Sequence, residues 1–89
     1  MRQELEELLK EELRVLAIRT RDRLDYKQKR MAEALVMSDS SYSDIETGEN
    51  MCGTLTAVLL LIAQPDPNQY LQTLMCKFQE LHDRMGQPV

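Results

Sequence analysis

The chain has 89 residues, enough for one domain with a small hydrophobic core. It contains no Trp, one Phe and three Tyr, so we expect a core built from Leu, Met, Val and Ile. Its formal net charge of −4 argues against a general coat protein for nucleic acids. Small domains with marginal cores are often stabilised by oligomerisation.

The charge is distributed unevenly along the chain. Residues 1–13 contain five Glu against two basic residues, and residues 14–30 contain seven Lys or Arg against two Asp. Residues 31–89 contain eight acidic residues against two basic ones. The average charge therefore conceals a basic segment between two acidic ones.

The first predicted element is a long helix over residues 2–37. This segment has no Pro or Gly and is rich in Glu, Leu, Arg, Lys and Ala, which favour helix. Its apolar positions recur at spacings of four, four and three, an 11-residue repeat typical of a long and nearly straight helix. An open alternative is a break near Thr20, where the apolar stripe is weak, after which the chain folds back on itself.

A polar segment follows, and we predict a loop over residues 38–43 because Ser and Asp side chains compete for backbone hydrogen bonds. Ser43 and Glu46 have the spacing of a capping box, which predicts a second helix over 44–64. The alternative start is Asn50 as the N-cap of a shorter helix over about 51–64.

Two prolines, Pro65 and Pro67, end the second helix. Asp66 has the chemistry of an N-cap, so we predict a third helix over 67–85, followed by a loose tail at 86–89. The apolar stripes of the second and third helices predict a hairpin core. Its expected members are Leu59, Ile62, Leu71, Leu74, Phe78 and Leu81.

These patterns predict an all-α fold and a single helical domain over 1–89. The expected architecture is a long N-terminal helix plus an antiparallel helical hairpin, arranged as a three-helix or dimeric helical bundle. No segment alternates with the period of a strand. The longest apolar run, residues 55–63, is about half the roughly 20 residues that a membrane span requires, so we expect no membrane contact.

The sequence offers little for catalysis. His82 is the only histidine, and there is neither a metal-binding motif nor a Gly-rich phosphate loop. We therefore expect no enzyme activity, no cofactor and no metal. Cys52 and Cys76 are expected to be buried free thiols. The acidic N-terminus does not resemble a signal or transit peptide, so the expected compartment is cytoplasmic or otherwise reducing.

The leading functional prediction is a small helical protein–protein interaction module: an adaptor, an assembly factor or a regulator. We expect it to bind a second copy of itself through the first helix, and at least one other protein. The acidic and basic ends of that helix favour an antiparallel pair. The expected interface residues are Leu5, Leu9, Leu13, Leu16 and Leu24.

The alternative prediction is a compact dimeric nucleic-acid-binding protein that uses the basic belt between Arg14 and Arg30. On one continuous helix, Arg19, Arg23, Lys27 and Arg30 would share one side. Separately, Ser41 and Ser43 each precede an acidic residue by three positions, which makes them possible phosphorylation sites.

Overall fold

The computed structural model describes residues 2–86, and within that range it contains helices and no strand. The predicted all-α fold class is confirmed. The five helices are α1 (Arg2–Leu24), α2 (Gln28–Ala34), α3 (Asp39–Thr47), α4 (Thr54–Ile62) and α5 (Pro67–Arg84).

The predicted continuous helix over 2–37 is wrong, because α1 ends at Leu24. Asp25 has a φ of 57°, in the left-handed region, and Lys27 is extended before α2 begins. The chain folds back, as in the alternative, but Thr20 is buried and helical, so the break comes later. Folding back allows apolar residues of α2 to join the core around α1, a gain that a straight helix cannot provide.

The predicted loop over 38–43 is also wrong, since α3 occupies most of it. Ser38 is the N-cap, and its Oγ accepts a hydrogen bond from the Ser41 amide at 3.2 Å. Ser43 and Glu46 both lie inside α3, so they form no capping box. The serines that weaken a helix interior favour its start, where their oxygens satisfy free amides.

The predicted second helix over 44–64 is divided by residues 48–53. Gly48 ends α3 with a φ of 81°, and α4 begins after Gly53, closer to the shorter alternative but without Asn50 as its cap. The third helix agrees with its prediction to within one residue. The Asp66 carboxylate accepts a hydrogen bond from the backbone N–H of Gln69 at 3.1 Å. Except for Gly86, the predicted loose tail lies outside the described residues.

The core lies between α1 and the three helices that follow it. Its buried members are Leu13, Leu16, Ala17, Met31, Ala32, Leu35, Tyr42, Ile45, Cys52 and Leu60.

The predicted hairpin core is wrong, because none of its six residues is fully buried. Ile62 is 66% exposed and Leu71 is 43% exposed, while the other four are half-buried. The reason is that α1 contacts α3, α4 and α5, so α4 and α5 each direct one face towards α1 rather than mainly towards each other.

The two cysteines differ in their environments. Both are free thiols, but Cys52 is buried and Cys76 is exposed, so the prediction of two buried thiols is wrong for Cys76. Burial raises the pKa of the Cys52 thiol. Within residues 2–86, no helix combines the length and apolar character needed to cross a bilayer.

We predict that Leu60→Ala lowers the free energy of unfolding by about 2–5 kcal/mol, because Leu60 is completely buried and truncation leaves a cavity. Ile62→Ala on the same helix should change it by less than about 0.5 kcal/mol, because the side chain is mostly exposed. Urea unfolding followed by circular dichroism measures both. Equal losses for the two variants would contradict the observed orientation of α4.

Candidate functional site

The α2–α3 pair has the layout of a helix-turn-helix unit. The two helices contain 7 and 9 residues, are joined by residues 35–38, and pack against each other. Two helices connected by a turn of three or four residues have the connectivity of this motif, in which the second helix is the one that enters the DNA major groove. Helix α3 packs against both α1 and α2 and buries one of its faces.

The turn between the two helices is well formed although it contains no glycine. Val36 has a φ of 57° and is 81% exposed. The Met37 amide donates to the Ala32 carbonyl at 3.0 Å, and the buried Leu35 anchors the turn to the core. Glycine is the usual residue at a left-handed position, so a turn with valine at that position cannot be recognised from the sequence.

A buried polar cluster holds α3 against α1 and α2. The Glu46 carboxylate accepts hydrogen bonds from Arg21 Nε at 2.6 Å, Arg21 Nη2 at 3.2 Å and Gln28 Nε2 at 3.0 Å. It also accepts one from the Tyr42 hydroxyl. Arg21 Nη1 donates in addition to the Tyr26 carbonyl at 3.2 Å. One carboxylate near the end of α3 thus links α3 to α1 and to the start of α2.

The ionised state of Glu46 depends on these donors. Burial by itself raises the pKa of Glu46, but the hydrogen bonds from Arg21, Tyr42 and Gln28 outweigh burial and hold the pKa below its usual value. Burial, reinforced by the hydrogen bond to Glu46, raises the pKa of Tyr42. At neutral pH the cluster therefore contains a carboxylate, a guanidinium and a neutral phenol.

The outward face of α3 is polar and carries short side chains. Tyr42, Ile45 and Glu46 are buried on the inner face. Ser40, Asp44 and Thr47 share the opposite side, because residues separated by four and three positions align along a helix. Ser40 and Thr47 are exposed and Asp44 is half-exposed. This face offers hydroxyl and carboxylate groups and no bulky side chain.

Three exposed cations, Lys27, Lys29 and Arg30, lie at the start of α2. Together with Tyr26 and the acidic residues Asp25 and Glu33, they line an open surface depression of about 370 Å³. The Arg30 guanidinium lies 5.2 Å from the centroid of the Tyr26 ring, within the range of a cation–π interaction. The start of α2 therefore carries three cations against two carboxylates, a small local excess of positive charge on an acidic protein.

The predicted basic belt does not form one surface, because the break at residues 25–27 separates Arg19 and Arg23 from Lys27 and Arg30. Arg23 Nη2 donates to the Ala63 carbonyl near the end of α4, and Arg19 lies beside Tyr70 of α5.

Two other members of the basic segment form ion pairs within the chain. Arg14 pairs with Glu11 at 2.7 Å, and Arg21 pairs with Glu46. The hydrogen bond from Arg14 lowers the pKa of Glu11. The cations at the start of α2 are the members of the basic segment that gather at the helix-turn-helix unit, and one of them, Arg30, pairs with Glu33 at 3.7 Å.

The predicted interface on the first helix needs a similar correction. Leu13 and Leu16 are each only 4% exposed and belong to the core. Leu5 and Leu9 are half-buried, and only Leu24 is exposed. Because α3, α4 and α5 pack against α1, they cover leucines that would otherwise require a partner.

The exposed apolar surface lies on the α4–α5 hairpin instead. Helix α4 contains no charged residue, yet only Thr56 and Leu60 are buried. Leu55, Val58 and Ile62 are exposed along one side at helical spacing. On α5, Leu71 and Met75 are exposed one turn apart. We call these five residues the hairpin patch.

Ser41 is exposed in the first turn of α3, and its hydroxyl accepts a hydrogen bond from the Ser38 hydroxyl at 2.8 Å. Ser43 is half-buried, and the acidic residue three positions after it is the buried Glu46. Of the two possible phosphorylation sites, Ser41 is therefore the more accessible. Within residues 2–86, no three His, Cys, Asp or Glu side chains group as metal ligands.

Comparisons of the chain with protein-family models, curated proteins and solved structures return no match. Any functional conclusion therefore rests on the geometry of the chain itself.

We predict that Glu46→Gln lowers the free energy of unfolding by about 3 kcal/mol at pH 7. It leaves Arg21 without its anion, although the 22% exposure of the Arg21 side chain limits the loss. Glu33→Gln is the matched control, because its pair with Arg30 at 3.7 Å is exposed and worth less than about 1 kcal/mol. Similar losses in the two variants would contradict a structural role for the cluster.

The same variant gives a pH test. The folded pKa of Glu46 is lowered, so its ionisation stabilises the fold fully above the unfolded value of about 4.3 and less as the pH falls through the folded pKa. The difference in stability between the original chain and Glu46→Gln should therefore shrink as the pH falls below that window. A difference that stayed constant from pH 7 to pH 3 would exclude this linkage.

Proposed function

We propose that this chain is a helix-turn-helix protein that binds double-stranded DNA, with α3 in the major groove and no catalytic role. The observation that carries the proposal is the α2–α3 unit, which is held on α1 by the Arg21–Glu46 ion pair and presents a polar outer face. This is the second of the two functions predicted from the sequence. Its basic surface is now the start of α2 rather than a belt along one helix.

The chemistry of α3 supports this role. Hydroxyl and carboxylate groups recognise base edges by direct hydrogen bonds, and small side chains allow a helix to approach the floor of the groove. The partly buried ion pair fixes α3 before DNA arrives, so little ordering is needed on binding.

The cations at the start of α2 support the same orientation. In this class of motif the first helix crosses the DNA backbone while the second lies in the groove. Lys27, Lys29 and Arg30 are therefore in position to contact phosphates. The chain-wide charge of −4 does not oppose this arrangement, because contacts depend on local charge within a Debye length of about 8 Å.

We also propose that the chain acts as a homodimer, with a second copy covering the hairpin patch. A helix that is apolar on all sides is normally buried, and α4 is such a helix with three large side chains exposed. In a twofold pair a surface meets its own copy, so a charged patch would repel itself, whereas α4 has no charge. Twofold dimers of helix-turn-helix proteins read two half-sites one helical turn apart.

A second candidate function is the protein–protein interaction module, whether adaptor, assembly factor or regulator. The exposed apolar side of α4 favours it, because that surface suits a different protein as well as a second copy. In both cases we expect a cytoplasmic or otherwise reducing compartment, in which free thiols such as Cys52 and Cys76 persist.

We predict that the full chain shifts a pool of random DNA duplexes at low salt, with an affinity that falls steeply as salt rises. Lys29→Gln should reduce the slope of log affinity against log salt by about 0.9, the value of one phosphate contact. Fluorescence anisotropy measures both. Arg2→Gln is the control, because Arg2 lies at the far end of α1 with its side chain 91% exposed. The absence of any DNA binding at low salt would overturn the proposal.

We predict that Leu55→Glu combined with Ile62→Glu converts a dimer into a 10.4 kDa monomer while leaving the helix content unchanged. Both side chains are exposed in the single chain, so the charges cost little until a second copy covers them. Sedimentation equilibrium measures the mass. Leu24→Glu tests the originally predicted surface on α1. If only Leu24→Glu disrupts the dimer, the interface lies on α1 and not on the hairpin patch. If the original chain is itself a monomer, the proposed dimer is wrong.

A further inference from the structure

Asp44 differs from its neighbours on the outer face of α3. Hydroxyl groups, as in Ser40, act as donor or acceptor, and they therefore discriminate little between bases. An ionised carboxylate only accepts hydrogen bonds. Asp44 is therefore the one side chain of the Ser40, Asp44 and Thr47 row with a fixed hydrogen-bonding polarity.

The Asp44 carboxylate is also held in place from outside α3. Asn50 Nδ2 donates to Asp44 Oδ2 at 3.2 Å. Among residues 2–86, Oδ1 has no hydrogen-bond partner. The backbone of Asn50 is also held in position, since its backbone N–H donates to the Asp44 backbone carbonyl at 3.3 Å. One oxygen of the carboxylate is thus occupied and the other is left to accept from a ligand.

From this arrangement we infer that Asp44 is the sequence-reading residue of α3 and that the base it selects is cytosine. The inference rests on the proposed DNA-binding function. In the major groove, cytosine presents the N4 amino group as a donor, and a carboxylate is its matching acceptor. Guanine and thymine present acceptors at the corresponding positions, which repel a carboxylate. Adenine also presents an amino donor, at N6, but its N7 acceptor lies beside that donor and repels the carboxylate.

The same charge acts against DNA of the wrong sequence. Non-specific binding depends on phosphate neutralisation, and a carboxylate on the groove-facing helix opposes it. Where cytosine is present, the N4 hydrogen bond offsets that repulsion; elsewhere the repulsion remains. Asp44 thus raises the ratio of specific to non-specific affinity, whereas Lys27, Lys29 and Arg30 supply affinity without regard to sequence.

The test begins with selection of binding sites from random duplexes by the full chain, by Asp44→Asn and by Asp22→Asn. The last is the matched control: it makes the same charge change at an exposed position on α1. We expect a site with a required cytosine in each half for the original chain and for Asp22→Asn. For Asp44→Asn we expect that position to change to adenine, the base that Asn pairs with bidentately, or to lose its preference.

Binding measurements on the selected site then test whether the cytosine amino group is the group that Asp44 contacts. Replacing the required cytosine by N4-methylcytosine, which keeps one amino hydrogen for base pairing, should weaken the original chain about 5- to 150-fold, the range of one good base contact. It should affect Asp44→Asn far less. Asn50→Ala, which keeps the carboxylate but removes its support, should reduce the preference for cytosine while non-specific affinity is retained.

The outcomes separate the inference from the proposed function. An enriched site that is identical for the original chain and for Asp44→Asn would overturn the role of Asp44 and leave DNA binding intact. Enrichment of no site, together with no binding at low salt, would overturn the proposed function and the inference with it. Circular dichroism shows whether each variant folds. If Asp44→Asn does not fold, Asn50→Ala tests the role of the carboxylate in its place.

Discussion

The ion pair between Arg21 and Glu46 is the interaction on which the rest of the structure depends. The two side chains are 22% and 7% exposed, so neither charge is well hydrated, and each needs the other. Because Glu46 also accepts a hydrogen bond from Gln28 of α2, the orientation of α3 is fixed relative to both α1 and α2. An apolar contact could bury the same area, but it would not set the direction in which the outer face of α3 points.

That constraint gives the molecule two surfaces with different chemistry. The polar side of α3 and the cations at the start of α2 belong to the helix-turn-helix unit, and the hairpin patch lies on α4 and α5. The proposed roles follow the same division, with DNA on the first surface and a second copy of the chain on the second. Arg23 links α1 to the hairpin, since it extends to the carbonyl of Ala63 next to the hairpin turn.

Sequence reasoning succeeded where the signal was local. The third helix was predicted to within one residue, because Asp66, Pro67 and the apolar stripe that follows all specify the same element. It failed where a residue was unusual for its conformation. Asp25 and Val36 occupy left-handed positions without being glycine, and the serines before Tyr42 cap a helix rather than form a loop. The candidate site depends on these same positions, so it was missed together with them.

The sequence by itself determined the helical class, the third helix and the uneven distribution of charge. Helix propensity, capping and the absence of alternating apolar residues are properties of short segments, and they do not require knowledge of the fold. Only the tertiary structure decided which leucines are core and which cations are available. Leu13 and Leu16 become core because α3, α4 and α5 pack against α1. Arg21 is removed from the basic belt because Glu46, 25 positions later, is brought against it. Contacts between distant positions leave no periodic trace in a single sequence, because they depend on where the chain turns.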